Sequence, residues 1–169
     1  ELGEDLSWAV VGAGLRPSTT NVRESLRAQD YLTTVVELAP SAISARIVAC
    51  MIDFLPSDPE AITKYLCDEK IRIVSMTITE SGYYIDSKTG KFAADHQDMV
   101  ADGASPNSPT SLFGVLVKAL RLRREAGTAP FTVLSCDNLP GNGNMTRQTV
   151  VGLAGLSDPK LAQWIADTV

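Results

Sequence analysis

The stretch RIVSMTITESGYY, residues 72–84, contains the most regular strand pattern in the chain. Residues 71–78 are rich in apolar and β-branched side chains, and the polar segment Thr79-Glu80-Ser81-Gly82 follows them at once. A run of this kind, closed by polar residues and a glycine, predicts a β-strand. The polar segment then stands at the carboxyl end of a strand, which is where open parallel sheets bind their ligands.

Strand and helix patterns alternate on both sides of this stretch. Predicted strands cover residues 8–12, 31–38, 47–55, 71–78 and 131–134, and predicted helices cover residues 21–29, 57–67, 108–126, 144–153 and 157–168. A small β-hairpin is predicted near residues 83–93, turning at the Ser-Lys-Thr-Gly segment 87–90. The alternation predicts a single α/β domain over residues 1–169, with a doubly wound, mostly parallel sheet and helices on both of its faces.

The composition excludes several classes of partner. The chain has 169 residues, a formal net charge of −5 and 44% apolar residues. An acidic chain without a dense Lys/Arg stripe argues against a nucleic-acid-binding protein. The densest basic cluster, Lys118, Arg121, Arg123 and Arg124, falls near the end of a predicted helix, so we expect it to be a solvated helix end. No apolar run is long enough to span a membrane and no secretory signal is present, so we expect a cytoplasmic protein.

The cysteines and the single histidine do not predict a metal site. Cys50, Cys67 and Cys136 show no metal-ligand spacing, and reduced thiols are the simplest interpretation. His96 lies among polar residues and is expected at the surface. With one histidine, neither a His-rich metal centre nor a Ser-His-Asp triad is expected.

Polar segments follow three of the predicted strands. They are residues 12–18, residues 79–83 and residues 135–138. Because the carboxyl ends of parallel strands meet at one edge of a sheet, we expect the three segments to form one crevice.

The first of these segments, GAGLRP at residues 12–17, has two interpretations. It carries the first two glycines of the GxGxxG dinucleotide-binding pattern, but Pro17 stands where the third glycine belongs. No well-placed acidic residue follows about 20 positions later as a ribose partner, which also disfavours a pyrophosphate turn. The strand can instead be the second of a nucleotide-binding fold, whose tip meets the adenosine ribose. Arg16, Ser18 and Thr19 would then face that ribose.

Each of the other two segments has two interpretations that the sequence leaves open. Thr79 and Glu80 can contact a cofactor or substrate, or they can cap a turn through local hydrogen bonds. In SCDNLPGNG, residues 135–143, the Asn138 amide can donate a hydrogen bond to a carbonyl or a developing alkoxide. Alternatively, Asp137 and Asn138 form an Asx turn with the proline and glycines that follow.

The chain resembles the mannitol dehydrogenase family, the polyol-specific long-chain dehydrogenases, over nearly its whole length. The match rests on RIVSMTITESGYYID (72–86), SPNSPTSLFGVLVKALRLRR (105–124) and PFTVLSCDNLPGNG (130–143). The resemblance implies a Rossmann-type nucleotide-binding domain and NAD(P)-dependent hydride transfer between a polyol and a ketose, such as mannitol and fructose. Arabinitol dehydrogenases and fructuronate or tagaturonate reductases are alternatives within the family. A non-catalytic α/β binding module is the alternative outside it.

The resemblance also implies roles for individual residues. Asn138 is expected to hold the substrate oxygen at an oxyanion-type site, supported by Asp137 and the Pro-Gly turn. The residues implied as cofactor neighbours are Arg16, Ser18, Thr19, Thr79 and Glu80. NAD is the cofactor that the family favours. However, Ser18 and Thr19 stand where NAD-preferring members carry acidic residues, so weak discrimination against NADP is expected.

Two motifs of the family have no match in these 169 residues. They are the first strand with its glycine-rich phosphate turn, and the Lys-x4-Asn-x2-His arrangement of the C-terminal, largely helical domain. The expectation is therefore that the chain is the central and later part of a nucleotide-binding domain, with the rest of a parent chain as its partner. By itself it is expected to be inactive.

Overall fold

Strands and helices alternate along residues 7–169, which the computed structural model describes apart from the side chain of Glu80. The strands are β1 (Val10–Gly12), β2 (Thr33–Ala39), β3 (Ala42–Val48), β4 (Met51–Phe54), β5 (Ile73–Met76) and β6 (Thr132–Ser135). The helices are α1 (Thr19–Ala28), α2 (Pro59–Leu66), α3 (Gln97–Ala104), α4 (Leu112–Glu125), α5 (Asn142–Ser157) and α6 (Pro159–Thr168), with a 3-10 turn at Glu80–Tyr83. The chain divides into two compact units, Glu1–Ile62 and Thr63–Val169.

The first unit is built on a parallel pair of strands, β1 and β4. Val11 lies opposite Asp53 and Gly12 opposite Phe54. A methyl group on Gly12 would come within 2.2 Å of the Phe54 ring, so the packing of these two strands requires a glycine at this position.

Strands β2 and β3 form an antiparallel hairpin whose two-residue loop is Pro40–Ser41. The prediction of one strand over residues 47–55 is wrong, because β3 ends at Val48 and β4 begins at Met51. The first part pairs with β2 in antiparallel fashion, whereas the second pairs with β1 in parallel. The apolar pattern continues across the break, so it could not reveal the change of partner.

The second unit contains the parallel pair of strands β5 and β6 and four helices. Its register runs from Ile73 opposite Thr132 to Met76 opposite Ser135. Helices α4 and α5 supply most of its core, and the fully buried apolar side chains (at most 2% exposed) are Tyr83, Met99, Phe113, Val115, Leu116, Ala119, Leu120, Phe131, Val150, Ala154, Leu161 and Ile165.

Local capping explains where the helices of this unit begin. The Ser111 hydroxyl accepts a hydrogen bond from the Gly114 amide at the start of α4. The Asp158 carboxylate accepts from the amides of Lys160 and Leu161, and Pro159 occupies the first turn of α6. The observed start of α6 agrees with the start of the helix predicted over residues 157–168.

Residues 83–104 differ in detail from the prediction. The expected hairpin near residues 83–93 is a tight turn with one antiparallel bridge, Ile85–Phe92. Helix α3 was not predicted. It is capped by His96, whose Nδ1 accepts a hydrogen bond from the Asp98 amide at 3.2 Å. The expectation that His96 lies at the surface is confirmed, since 48% of its side chain is exposed.

The expectation of a solvated basic cluster is wrong for two of its members. Lys118 is 7% exposed and Arg123 is 2% exposed. The Arg123 guanidinium donates to the carbonyls of Leu66, Asp68, Ile71 and Ala129. Because those carbonyls precede β5 and β6, Arg123 ties together the amino-terminal ends of both strands.

Three further observations concern the described residues as a whole. None of the helices within residues 7–169 has the length and apolar character needed to cross a bilayer. With the Glu80 side chain left aside, the same residues contain no group of three His, Cys, Asp or Glu side chains that could hold a metal ion. Cys50 and Cys136 have free thiols.

Candidate functional site

The polar segments after β5 and β6 lie side by side. Met76 and Ser135 are opposite each other at the ends of the two parallel strands. The Cys136 amide continues the ladder by donating to the Met76 carbonyl at 2.9 Å. The two segments therefore leave the sheet at the same edge, as parallel pairing requires.

Asp137 connects these two segments through its carboxylate. The Ile78 amide lies 3.1 Å from Oδ1 and 2.9 Å from Oδ2, and the Tyr83 hydroxyl donates to Oδ2 at 2.5 Å. The partners lie 59 and 54 residues away in sequence. Asp137 thus bonds to the β5 segment rather than forming a local Asx turn, and it holds the β5 segment against the β6 segment.

Tyr83 is the other half of this connection. Its side chain is fully buried, and its hydroxyl lies 2.5 Å from the Ser135 Oγ as well. Burial raises the pKa of the Tyr83 phenol, and the hydrogen bond to Asp137 raises it further. Tyr83 therefore stays a neutral donor to the carboxylate at neutral pH.

Asn138 is exposed, directly after this anchored residue. Within the described part of the structure, which leaves out the Glu80 side chain, no group bonds to its side-chain amide. The segment that follows Asn138 is held as well, since the Asn142 Nδ2 donates to the Asp137 carbonyl at 2.7 Å. Gly141, with a φ of 76°, then leads into α5. The amide of Asn138 is therefore available to a ligand, while the backbone beside it is anchored.

Thr79 lies at the end of the neighbouring segment and is exposed. Its carbonyl accepts from the Gly82 amide at 2.7 Å, and its hydroxyl lies 3.3 Å from the Ser81 Oγ. The backbone bond closes the 3-10 turn, while the Thr79 side chain makes no cap bond to a backbone amide of the turn. The side chain of Glu80 lies outside the described part of the structure, so its role stays a prediction.

Arg16, Ser18 and Thr19 lie together in the first unit, between β1 and α1. The Thr19 hydroxyl lies 2.6 Å from the Arg16 carbonyl and also bonds to the Ser57 Oγ, so Thr19 closes this turn. The side chains of Arg16 and Ser18 are exposed and bond to no other described residue. Of the three, Arg16 and Ser18 have the freer side chains for an outside ligand.

The glycines of this turn have packing roles. A methyl group on Gly14 would come within 2.4 Å of the Thr19 Cγ2, just as one on Gly12 would meet Phe54. Close packing therefore accounts for the two glycines that resemble part of a phosphate-binding fingerprint.

Sequence reasoning missed the residues that hold the site in place. Tyr83 and Ser135 lie in the polar segments 79–83 and 135–138, and Ser57 lies at a predicted helix start, but none of them was named as a site residue. Their partners lie 38 to 54 residues away, so only the fold brings the groups together. The signal that was present is the polarity of Asp137 shortly after the end of a predicted strand.

The whole chain matches one known family. Residues 2–169 match the mannitol dehydrogenase Rossmann domain. The chain belongs to this family. The resemblance seen in the sequence is therefore confirmed, and so is the Rossmann-type α/β fold.

Two curated relatives show how close the family likeness is. The mannitol 2-dehydrogenase of Cereibacter sphaeroides is 53% identical over 166 residues, which are 97% of this chain and 35% of that protein. The polyol:NADP oxidoreductase of Gluconobacter oxydans is 47% identical over 165 residues, which are 95% of this chain and 34% of that protein. The chain thus spans about a third of the length of the family members it matches.

Two solved structures of the family share the fold. The Pseudomonas fluorescens mannitol 2-dehydrogenase, in a ternary complex with NAD and D-mannitol, has a TM-score of 0.93 and 41% identity, covering 99% of this chain and 35% of that one. A D-sorbitol dehydrogenase in its substrate-free form has a TM-score of 0.91 and 44% identity, covering 98% of this chain and 35% of that one.

Proposed function

We propose that this chain is the nucleotide-binding part of an NAD(P)-dependent polyol dehydrogenase that interconverts mannitol and fructose. The observation that supports this most strongly is the likeness of nearly the whole chain to a mannitol 2-dehydrogenase complexed with NAD and D-mannitol. The free Asn138 amide at the ends of β5 and β6 supplies a donor of the kind that such a reaction needs.

Asn138 acts on the substrate oxygen. When a ketose is reduced, negative charge develops on its carbonyl oxygen, and a prepositioned amide donor stabilises that charge more than it stabilises the neutral ground state. A bound nicotinamide supplies the hydride in this direction and accepts it in the other. Asp137 holds the backbone next to Asn138, so the donor needs little reorganisation during the reaction.

In the first unit, the adenosine ribose of the cofactor is proposed to contact the turn between β1 and α1. Arg16 and Ser18 fit this role because both side chains are exposed and free of internal hydrogen bonds to described residues. Ser18 can exchange hydrogen bonds with a ribose hydroxyl, and Arg16 can bind a 2′-phosphate. Thr79 and Glu80 are the proposed cofactor neighbours at the end of β5.

A chimaera tests the proposal without requiring knowledge of any flanking sequence. This chain replaces the matching third of the Cereibacter sphaeroides mannitol 2-dehydrogenase, and fructose-dependent oxidation of NADH and NADPH is measured. We expect a kcat within about tenfold of that of the unchanged enzyme, because the proposed donor and cofactor contacts are retained.

The chimaera also separates the two parts of the proposal. Cofactor binding is measured by quenching of protein fluorescence, and folding by circular dichroism. A folded chimaera that binds neither cofactor would contradict the nucleotide-binding role, whereas one that binds cofactor without turnover would contradict the role at the substrate oxygen.

The turn between β1 and α1 predicts weak discrimination between the two cofactors. No acidic residue lies between Ala13 and Arg23, so no carboxylate of this turn repels a 2′-phosphate. We expect the kcat/KM values of the chimaera for NADH and NADPH to agree within about tenfold. The variant Ser18→Asp should shift the ratio toward NADH by at least about tenfold, because it places a carboxylate where the 2′-phosphate would lie.

Ser25→Asp is the matched control for that variant. Ser25 is also an exposed serine of the first unit, on α1. The same charge there should leave the cofactor ratio within about twofold of the starting value. A strong preference for NADH before any substitution would refute the cofactor prediction.

A further inference from the structure

The hydroxyl of Tyr83 joins the two segments that follow β5 and β6. It lies 2.5 Å from the Asp137 Oδ2 and 2.5 Å from the Ser135 Oγ. Tyr83 belongs to the β5 segment, whereas both partners belong to the β6 segment. Because the side chain is fully buried, water does not compete for these bonds.

The backbone of Tyr83 is also held by α5. The Thr149 hydroxyl, which is also fully buried, donates to the Tyr83 carbonyl at 2.5 Å. The ring of Tyr83 therefore sits in a rigid setting, and its hydroxyl presents a fixed donor to Asp137. The Ile78 amide is the second donor to that carboxylate.

We infer that Tyr83 is a positioning residue for Asn138, acting through Asp137. This inference rests on the proposed role of Asn138 at the substrate oxygen. Tyr83 does not itself contact the substrate. It sets the position of the Asp137 carboxylate and so the direction of the Asn138 side chain. Loss of its hydroxyl leaves Asp137 with the Ile78 amide alone and allows the Asn138 amide to drift from its productive position.

A drift of this kind affects turnover more than binding. The hydrogen bond to the substrate oxygen strengthens as charge develops, so a misplaced donor lowers kcat and leaves cofactor affinity unchanged. In the chimaera, Tyr83→Phe keeps the buried ring and should lower kcat for fructose reduction about tenfold. The Kd of NADH should stay within about twofold.

Tyr84→Phe is the matched control. The Tyr84 hydroxyl donates to Asp98 at 2.9 Å on the side of α3, away from the Asp137 carboxylate in the hydrogen-bond network. Removing it should change kcat by less than about twofold.

A double-mutant cycle with Asn138→Ala distinguishes positioning from a general structural role. If Tyr83 acts through Asn138, Tyr83→Phe lowers kcat about tenfold in the starting chimaera and less than about twofold in the Asn138→Ala background. Equal losses in both backgrounds, or a parallel loss of NADH affinity, would overturn the inference. If Tyr83→Phe does not fold, Asp137→Ala is used in the same cycle, since it removes the carboxylate through which Tyr83 acts. If the starting chimaera is active and Tyr83→Phe lowers kcat equally in both backgrounds, only the positioning role is refuted. If the starting chimaera is inactive, the proposed function is refuted.

Discussion

Replacing Arg123 by Met is expected to lower the free energy of unfolding of the chain by about 3 kcal/mol or more. The guanidinium is 2% exposed and donates to four backbone carbonyls, among them those of Leu66 at 2.7 Å, Ile71 at 2.7 Å and Ala129 at 2.6 Å. It also stacks over Phe131, with 5.0 Å between Cζ and the ring centroid. Met fills much of the same volume but leaves these carbonyls without a donor, which costs more than the lost contacts alone.

The environment of Arg123 agrees with a structural cation. Burial lowers the pKa of its guanidinium from the ordinary value, yet arginine remains charged throughout the accessible pH range. The variant should therefore lose stability at every pH at which the chain folds. Denaturant unfolding followed by circular dichroism and by the fluorescence of Trp164 measures the change.

Arg124→Met is the matched control, because it removes the same side chain one position along α4. The Arg124 side chain is 34% exposed, and its Nη1 lies 3.8 Å from an Asp158 carboxylate oxygen. A partly exposed ion pair of this kind contributes less than about 1 kcal/mol. Equal losses of stability for the two variants would contradict the structural role assigned to Arg123.

Asn138→Ala is expected to lower the kcat of the chimaera about 10²- to 10³-fold, as removal of a single oxyanion donor does in other enzymes. The side chain is exposed and bonds to no described residue, so its removal should leave the melting temperature nearly unchanged. Steady-state kinetics of fructose reduction and a thermal melt together measure both effects.

Two further variants make the Asn138 result specific. Asn138→Asp keeps the size of the side chain but replaces its donor with a carboxylate, so it should lose at least as much activity as the Ala variant. Gln148→Ala removes an exposed side-chain amide from α5 and should leave kcat unchanged. Full activity in either Asn138 variant would refute the proposed contact with the substrate oxygen.

The parts of the fold that could be predicted depend on local patterns. The run at residues 71–78 and the Asp158-Pro159 helix start gave the right elements because β-branched side chains and capping groups act within a few residues. The division between β3 and β4 was missed because both strands are apolar and differ only in pairing partner. Arg123 was misplaced because a cation near a helix end looks solvated until the carbonyls around it are known.

In the candidate site, too, local patterns could be predicted from the sequence and long-range contacts could not. The expectation that the segments following β5 and β6 lie together is confirmed, because parallel pairing brings strand ends together, whereas their contact with a ligand stays a prediction. For Asp137, local chemistry offered an Asx turn or a ligand contact, whereas the structure shows its carboxylate bonded to the segment that follows β5. Its partners, Ile78 and Tyr83, are 59 and 54 residues away, and no periodicity or spacing in a single sequence encodes such a pairing.

Transfer of deuterium in the chimaera tests the central proposal most directly. Fructose is reduced with NADH that carries two deuterium atoms at C4 of the nicotinamide ring, and the product is analysed by mass spectrometry and NMR. If this chain forms the nucleotide-binding part of a polyol dehydrogenase, the former carbonyl carbon of the hexitol carries one deuterium, and the oxygen gains its proton from solvent. A folded, NADH-binding chimaera that yields no hexitol, or a hexitol without deuterium at that carbon, would contradict the proposal.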